Sequence, residues 1–270
     1  MTQQVHRSDP RILNRRTLQR DHRRLVQLLR PGMRVLDVGC GTGAITAGIA
    51  RAVGPGGFVV GLDRDEGNLA VARQELGVTG NLTFKVGDLL AQDFETCFET
   101  PFDLATAART LLWISQPDRA LEQMKKVVRP GGRVVVLDYS LEDVQWEPEP
   151  PRAFQTFYRA FLDWRTANRW DNAIAKRLPA LFAVAGLTGV EVHRCDEVVQ
   201  RGAPDFFDAY ASGIWLNVIQ SVGPHLTASG FLDEKLRSSA EEQYARYVET
   251  ALERQTQFAV TVEGQAADAR

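Results

Sequence analysis

Gly39, Gly41 and Gly43 stand within five residues of one another, directly after the run Val35-Leu36-Asp37-Val38. Glycines at that spacing let a backbone turn tightly and approach a ligand closely, because none carries a Cβ. Met33 to Val38 reads as a buried strand, and Thr42 to about Ala52 reads as a helix. A helix opened in this way points unpaired N–H groups at whatever occupies the turn. The chemistry expected is recognition of a nucleotide-type ligand. Gly39-x-Gly41-x-x-Ala44, with Asp63 further along, satisfies the dinucleotide pattern. Asp37 opposes that reading. A carboxylate at the strand end repels a pyrophosphate lying over the helix N-terminus, and suits a ligand that presents an ammonium group, such as S-adenosylmethionine.

The rest of the chain supplies the elements that hold this turn. An N-terminal helical segment is expected over residues 1–30, with Ser8-Asp9-Pro10 as its start and Pro31-Gly32 as its end. It is rich in arginine, from Arg7 and Arg11 through Arg15, Arg16, Arg20, Arg23, Arg24 and Arg30. These side chains read either as an anion contact or as a solvated helix face. Phe58 to Asp63, Leu82 to Val86, Phe102 to Ala108 and Arg133 to Asp138 read as further strands, with helices between them. Alternation of this kind specifies an α/β fold with a doubly wound, Rossmann-like sheet. Its loops at the strand carboxyl ends are where ligands bind.

After Asp138 the pattern changes. Trp146 to Pro151 reads as a loop or hinge, followed by an aromatic helix bearing Phe154, Phe157, Tyr158 and Phe161. Val190 to Val199 and Gln257 to Val262 read as two antiparallel strands, making seven in the sheet with the last antiparallel. Pro204 opens a helix carrying Phe207, Tyr210 and Trp215, and Leu232 to Arg254 reads as a long helix. The expected division is a core of residues 31–200 and 255–263, a helical insertion or lid over 203–254, and a flexible tail over 264–270.

Four motifs in order carry a resemblance to a known family. Val35 to Gly43 resembles the first motif of class I S-adenosylmethionine-dependent methyltransferases, and Gly61-Leu62-Asp63 the second. Gly87-Asp88 is similar to their adenine-contacting motif, and Arg129-Pro130-Gly131-Gly132 to the turn before their fifth strand. Phe102-Asp103-Leu104 and Val136 to Ser140 look most like the ubiquinone/menaquinone-biosynthesis C-methyltransferase group and its small-molecule relatives. The resemblance covers about Arg30 to Ser140 and implies S-adenosylmethionine as cofactor, with S-adenosylhomocysteine as product. It implies that Gly39, Cys40, Gly41 and Gly43 pass under the methionine part, and that Asp37 stands near its amino group. Asp63 would accept from the ribose hydroxyls, with Arg64, Gly87, Asp88 and Leu89 around the adenine. Ala107 and Arg109 would lie by the amino-acid tail or the reacting methyl.

The acceptor side is less defined. Trp113, Trp146, Phe154, Tyr158 and Trp215 are candidates for an apolar substrate pocket. Tyr139, Tyr158, His193, His225 and Arg109 are the candidate proton-handling groups. Ala107-Ala108-Arg109-Thr110 is not the Asn/Asp-Pro-Pro-Tyr run of methyltransferases acting on amino groups of DNA bases and glutamine. It also lacks the acidic residue that helps hold magnesium in catechol-type enzymes, so no metal is expected. A net charge of −2 over 270 residues argues against broad affinity for nucleic acid. No apolar run is long enough to span a bilayer, and Cys40, Cys97 and Cys195 show no paired spacing, so a cytoplasmic setting is expected. The leading expectation is methyl transfer to a small organic acceptor at oxygen, nitrogen or carbon. Quinone C-methylation, an NAD-dependent oxidoreductase and a non-catalytic cofactor binder are the alternatives. The oligomeric state is not legible.

Overall fold

The computed structural model describes residues 13–77, 80–90, 94–203 and 213–267. The expected helix start at Ser8-Asp9-Pro10 and the helix positions Pro204, Phe207 and Tyr210 lie outside the described residues. The chain divides into two compact units. Of the described residues, a sheet unit holds those from Leu13 to Asp138 together with Ile174–Arg194 and those from Val260 onward. A helical unit holds Tyr139–Ala173 and Cys195–Ala259. The expected insertion over 203–254 is thus part of a larger unit, which also takes in the aromatic helix.

The sheet unit opens with α1 (Leu18–Asp21) and α2 (Arg23–Leu28), where one continuous helix was expected. The break falls at His22, whose backbone leaves the helical region at φ −149° and ψ 58°. The His22 ring is fully buried, with Nε2 at 3.1 Å from Thr106 Oγ1. Seating that ring on the sheet turns the chain. β1 (Arg34–Val38), α3 (Ala44–Val53), β2 (Phe58–Asp63), α4 (Glu66–Leu76), β3 (Leu82–Val86), α5 (Phe94–Cys97) and β4 (Phe102–Ala108) follow. A 3₁₀ turn (Leu111–Trp113) and α6 (Pro117–Lys126) lead to β5 (Val128–Glu147). α8 (Ile174–Val184), β6 (Leu187–Arg194) and the end of β8 (Arg254–Ala266) complete this unit. The sheet order is β3-β2-β1-β4-β5-β8-β6. The four pairings among β1 to β5 are parallel, and β6 runs antiparallel to β8.

Apolar runs explain the burial. Val35, Leu104, Val134 and Val135 have no exposed surface, as expected of strands covered on both faces. Two strand limits differ from the sequence reading. The Arg129-Pro130-Gly131-Gly132 segment is no separate turn but an irregularity inside β5, where the register with β4 shifts between Phe102 and Leu104. Gly131 takes φ 71° there, the left-handed conformation that lets a strand absorb extra residues. β8 continues to Ala266, with Gln265 and Ala266 paired to Thr188 and Leu187, so the expected tail begins as strand.

The helical unit contains the end of β5, α7 (Arg152–Ala167), β7 (Glu197–Gln200), α9 (Gly213–Ser221), α10 (Gly223–Ala228), α11 (Glu234–Thr250) and the start of β8. The strand expected over Val190–Val199 is therefore two strands, and β7 pairs antiparallel with residues 254–257 of β8 as an eighth strand. The unit is built around stacked aromatics. Phe154 and Tyr244 lie 4.1 Å apart between ring centroids, and Trp146 meets Tyr158 edge-on at 5.1 Å.

Candidate functional site

The glycine turn is shaped as its sequence requires. Gly39, Gly41 and Gly43 all take positive φ, at 69°, 55° and 77°. A Cβ on Gly39 would sit 2.3 Å from Thr110 Oγ1, and one on Gly43 would sit 2.8 Å from the Phe84 ring. No other residue type fits those two positions without displacing a packed neighbour. Gly43 is also the residue before α3, and no side chain caps that helix. Its first N–H groups are thus left for a ligand or for water.

Two carboxylates flank the turn. Asp63, at the end of β2, accepts from the Gly41 N–H at 2.7 Å and from the Asp65 N–H at 2.9 Å. Burial pushes its pKa up, against the lowering effect of those two N–H groups. Asp63 therefore pins the loop as well as facing it. Asp37 is 3% exposed and accepts from Thr46 Oγ1 at 2.6 Å. Burial raises its pKa to about 7, with the Thr46 hydroxyl opposing and the Asp63 charge adding. Near neutral pH Asp37 is as much acid as carboxylate, so its repulsion of a phosphate is weaker than its residue type alone implies. The same burial, with both acids nearby, keeps the Cys40 thiol protonated.

Asp37, Gly39, Cys40 and Gly41 line one cleft of about 350 Å³, counted out to open solvent. Thr42, Ala44, Ile45 and Ala108 complete its floor, and Leu13 and Arg16 close it from the N-terminal segment. Neither N-terminal residue was singled out by sequence. Arg16 was one arginine among eight in a run without distinguishing periodicity. Thr42 lay inside the motif but received no role, although its hydroxyl is buried and makes no hydrogen bond.

The other expected cofactor residues are placed unevenly. The Gly87 N–H donates to the Asp63 carbonyl at 2.9 Å, which brings the β3 end beside the β2 end. Asp88 accepts from the Leu90 N–H at 2.8 Å, Leu89 is buried, and Arg64 is half-buried. Ala107 lies within the sheet, paired with Val38 and Val136. Arg109 departs from expectation. It takes φ 57°, and its guanidinium reaches Asp21 on α1, at 3.9 Å from Oδ1 and 3.4 Å from the backbone carbonyl. The group is buried in that contact and lines no part of the cleft.

The acceptor-side candidates divide between the units. Trp113 is half-buried in the 3₁₀ turn of the sheet unit. Trp146, Phe154, Tyr158 and Trp215 form one cluster in the helical unit, with Trp215 edge-on to Tyr158 at 5.0 Å. The Tyr158 hydroxyl donates to the Leu141 carbonyl at 2.5 Å, and burial pushes its pKa well above the usual phenol value. Those contacts suit a packing role better than a proton-accepting one. Tyr139 is half-buried, and His225 is exposed on α10.

His193 Nε2 lies 3.0 Å from Glu263, a carboxylate with no exposed surface. Glu191, His193 and Glu263 are close enough to ligate one ion, with their ligand atoms within 4.8 Å. Glu263 already accepts from Arg24 Nε at 2.7 Å and Arg133 Nη1 at 2.8 Å. Two guanidinium groups on the central ligand disfavour a cation there. Burial acts to raise the Glu263 pKa, but the Arg24 and His193 hydrogen bonds hold it below the usual range. The cluster ties α2 to β5, β6 and β8.

Residues 29–183 match a family model described as a methyltransferase domain. A ubiquinone/menaquinone biosynthesis C-methyltransferase (UbiE) of Burkholderia mallei is 37% identical over 137 residues, covering 50% of this chain and 54% of that protein. The chain spans about half the length of the curated relatives it matches. Among solved structures, a Bacillus halodurans protein superposes with a TM-score of 0.58 at 16% identity, covering 91% of this chain and 98% of that one. A SAM-dependent methyltransferase from Geobacter sulfurreducens, solved with S-adenosyl-L-homocysteine, does so with a TM-score of 0.50 at 19% identity, covering 97% and 94%. No helix among the described residues is long and apolar enough to cross a membrane. With the family match reaching from the end of α2 through β5 to α8, and the shared fold beyond it, the chain belongs to the methyltransferase-domain family.

Proposed function

We propose that the chain transfers a methyl group from S-adenosylmethionine to a small organic acceptor. The observation that carries this reading is the glycine turn with its cleft: three positive-φ glycines whose Cβ positions are closed by packed neighbours, a cleft lined by Asp37, and Asp63 holding the turn through the Gly41 N–H. The residues present fit the cofactor, since Thr42 offers a buried hydroxyl that no protein group satisfies. When bound, the cofactor supplies a methyl already made electrophilic by its sulfonium.

The chain's own residues then hold and orient. Gly39, Gly41 and Gly43 admit the ligand against the backbone, and Asp63 accepts from the ribose hydroxyls while keeping Gly41 in place. Asp88, Leu89 and Arg64 receive the adenine. Asp37 gives up its proton as an ammonium approaches, because the cation removes the cost of its buried charge. Alignment of acceptor and donor in a water-poor site can supply about 7–11 kcal/mol of barrier lowering.

The UbiE similarity supports quinone-type C-methylation as the specific alternative. The three cysteines are free thiols, which suits a reducing cytoplasm. Incubation with methyl-labelled donor and the small-molecule fraction of a cell extract is expected to place the label in a low-molecular-weight compound. Label that stays wholly on the donor would overturn the transfer reading.

A further inference from the structure

The polar groups of the cleft do not balance without a ligand. Thr42 is 2% exposed and its Oγ1 has no hydrogen-bond partner. Arg16 Nε is likewise shut off from solvent and unpartnered. Buried donors of this kind are costly when left unmade. Both belong to residues lining the same cleft, in which Arg16 is the only basic residue among the described residues. Asp37 is the acidic residue of that lining, and one of its oxygens is taken by Thr46. A cleft with one cation, one acid and a spare hydroxyl matches a zwitterion. Arg109, which sequence reasoning placed by the amino-acid tail, is engaged with Asp21.

We infer that Arg16 and Thr42 bind the α-carboxylate of the donor's amino-acid tail, while Asp37 faces its ammonium. This rests on the methyl-donor reading above and assigns a role to the N-terminal segment within it. A carboxylate has enough lone pairs to accept from the guanidinium and from the hydroxyl together. Leu13 accompanies Arg16 over the turn, with its Cδ1 only 2.9 Å from where a Gly41 Cβ would stand. The arginine is thus carried to the cleft by a segment packed directly on the glycine loop.

The test uses two probes that differ in one group, S-adenosylhomocysteine and its decarboxylated analogue, titrated calorimetrically into the full chain. The wild-type chain is expected to prefer the carboxylated ligand by roughly tenfold to a hundredfold, the range of a hydrogen bond to a charged group. Arg16→Met is expected to remove most of that preference while changing affinity for the decarboxylated ligand less than about twofold. Thr42→Val is expected to remove a smaller part, and Arg16→Lys to retain much of it. Thermal unfolding of each variant identifies any that fails to fold. Equal weakening of both ligands by Arg16→Met, or no wild-type preference, would overturn the assignment and leave the methyl-donor reading standing. Failure of the wild-type chain to bind either ligand would overturn both.

Discussion

The cleft of the sheet unit and the aromatic cluster of the helical unit are both ringed by polar groups, but they use them differently. In the cluster, Tyr158 donates to the Leu141 carbonyl and Tyr247 to the Pro148 carbonyl, each at 2.5 Å, while the Trp146 and Trp215 indole N–H groups are buried with no acceptor among the described residues. Arg165, fully buried in α7, donates to Asn172 at 2.7 Å. In the cleft, Thr42 and Arg16 keep donors without acceptors, and Asp37 holds a proton that a cation would displace. A satisfied polar group stabilises its own fold; an unsatisfied one next to a cradle marks a ligand. Unsatisfied donors occur in both regions; what sets the cleft apart is that a hydroxyl, a guanidinium and a carboxylate meet around one glycine turn, whereas the cluster surrounds its indoles with stacked rings.

Phe154 has no exposed surface and stacks on Tyr244. Phe154→Ala is expected to cost about 3–5 kcal/mol of unfolding free energy in denaturant titrations, the usual cost of emptying an aromatic core site. A loss under about 1 kcal/mol would show that the cluster is not the stabilising core of its unit.

Asp37 comes next, and it acts through pH. Its folded pKa, near 7, lies above the ordinary 3.8 of the unfolded chain. Between those values the folded state binds more protons, so stability falls as pH rises, by up to about 1.4 kcal/mol per pH unit. Asp37→Asn should flatten that part of the pH–stability profile. S-adenosylhomocysteine binding at pH near 6.5 should also release protons, seen as a binding heat that changes with the buffer's ionisation enthalpy. The same slope in the variant, or a buffer-independent heat, would contradict the assignment.

The smallest effect is expected at Asp63. Asp63→Asn removes the charge and leaves one acceptor for two N–H groups, and should weaken S-adenosylhomocysteine binding by about 1.5–3 kcal/mol beside a stability loss of about 1 kcal/mol from the N–H left facing the amide nitrogen. Unchanged affinity would mean that the ribose lies elsewhere.

Much of the sheet unit was legible because its signals are backbone signals. Positive φ at Gly39, Gly41 and Gly43 demands glycine, and Asp63 closes a run whose burial demands a strand. Where side chains act at a distance, the sequence was silent. Nothing in the spacing says that Arg109 would be captured by Asp21, or that His22 would leave its helix to meet Thr106. Gly131-Gly132 looks the same as a turn or as a strand irregularity, and only the pairing of β4 with β5 decides. The aromatic helix was visible as a period, but Tyr244, its stacking partner, comes from a helix far along the chain.

Under the proposed function the glycine cleft takes an adenosyl ligand with an amino-acid tail rather than a dinucleotide. Calorimetric titration of the chain with S-adenosylmethionine, S-adenosylhomocysteine and NAD tests it most directly. Saturable binding of both adenosyl ligands, with no comparable heat from NAD, is the predicted result. Tight NAD binding with no heat from either adenosyl ligand would contradict it.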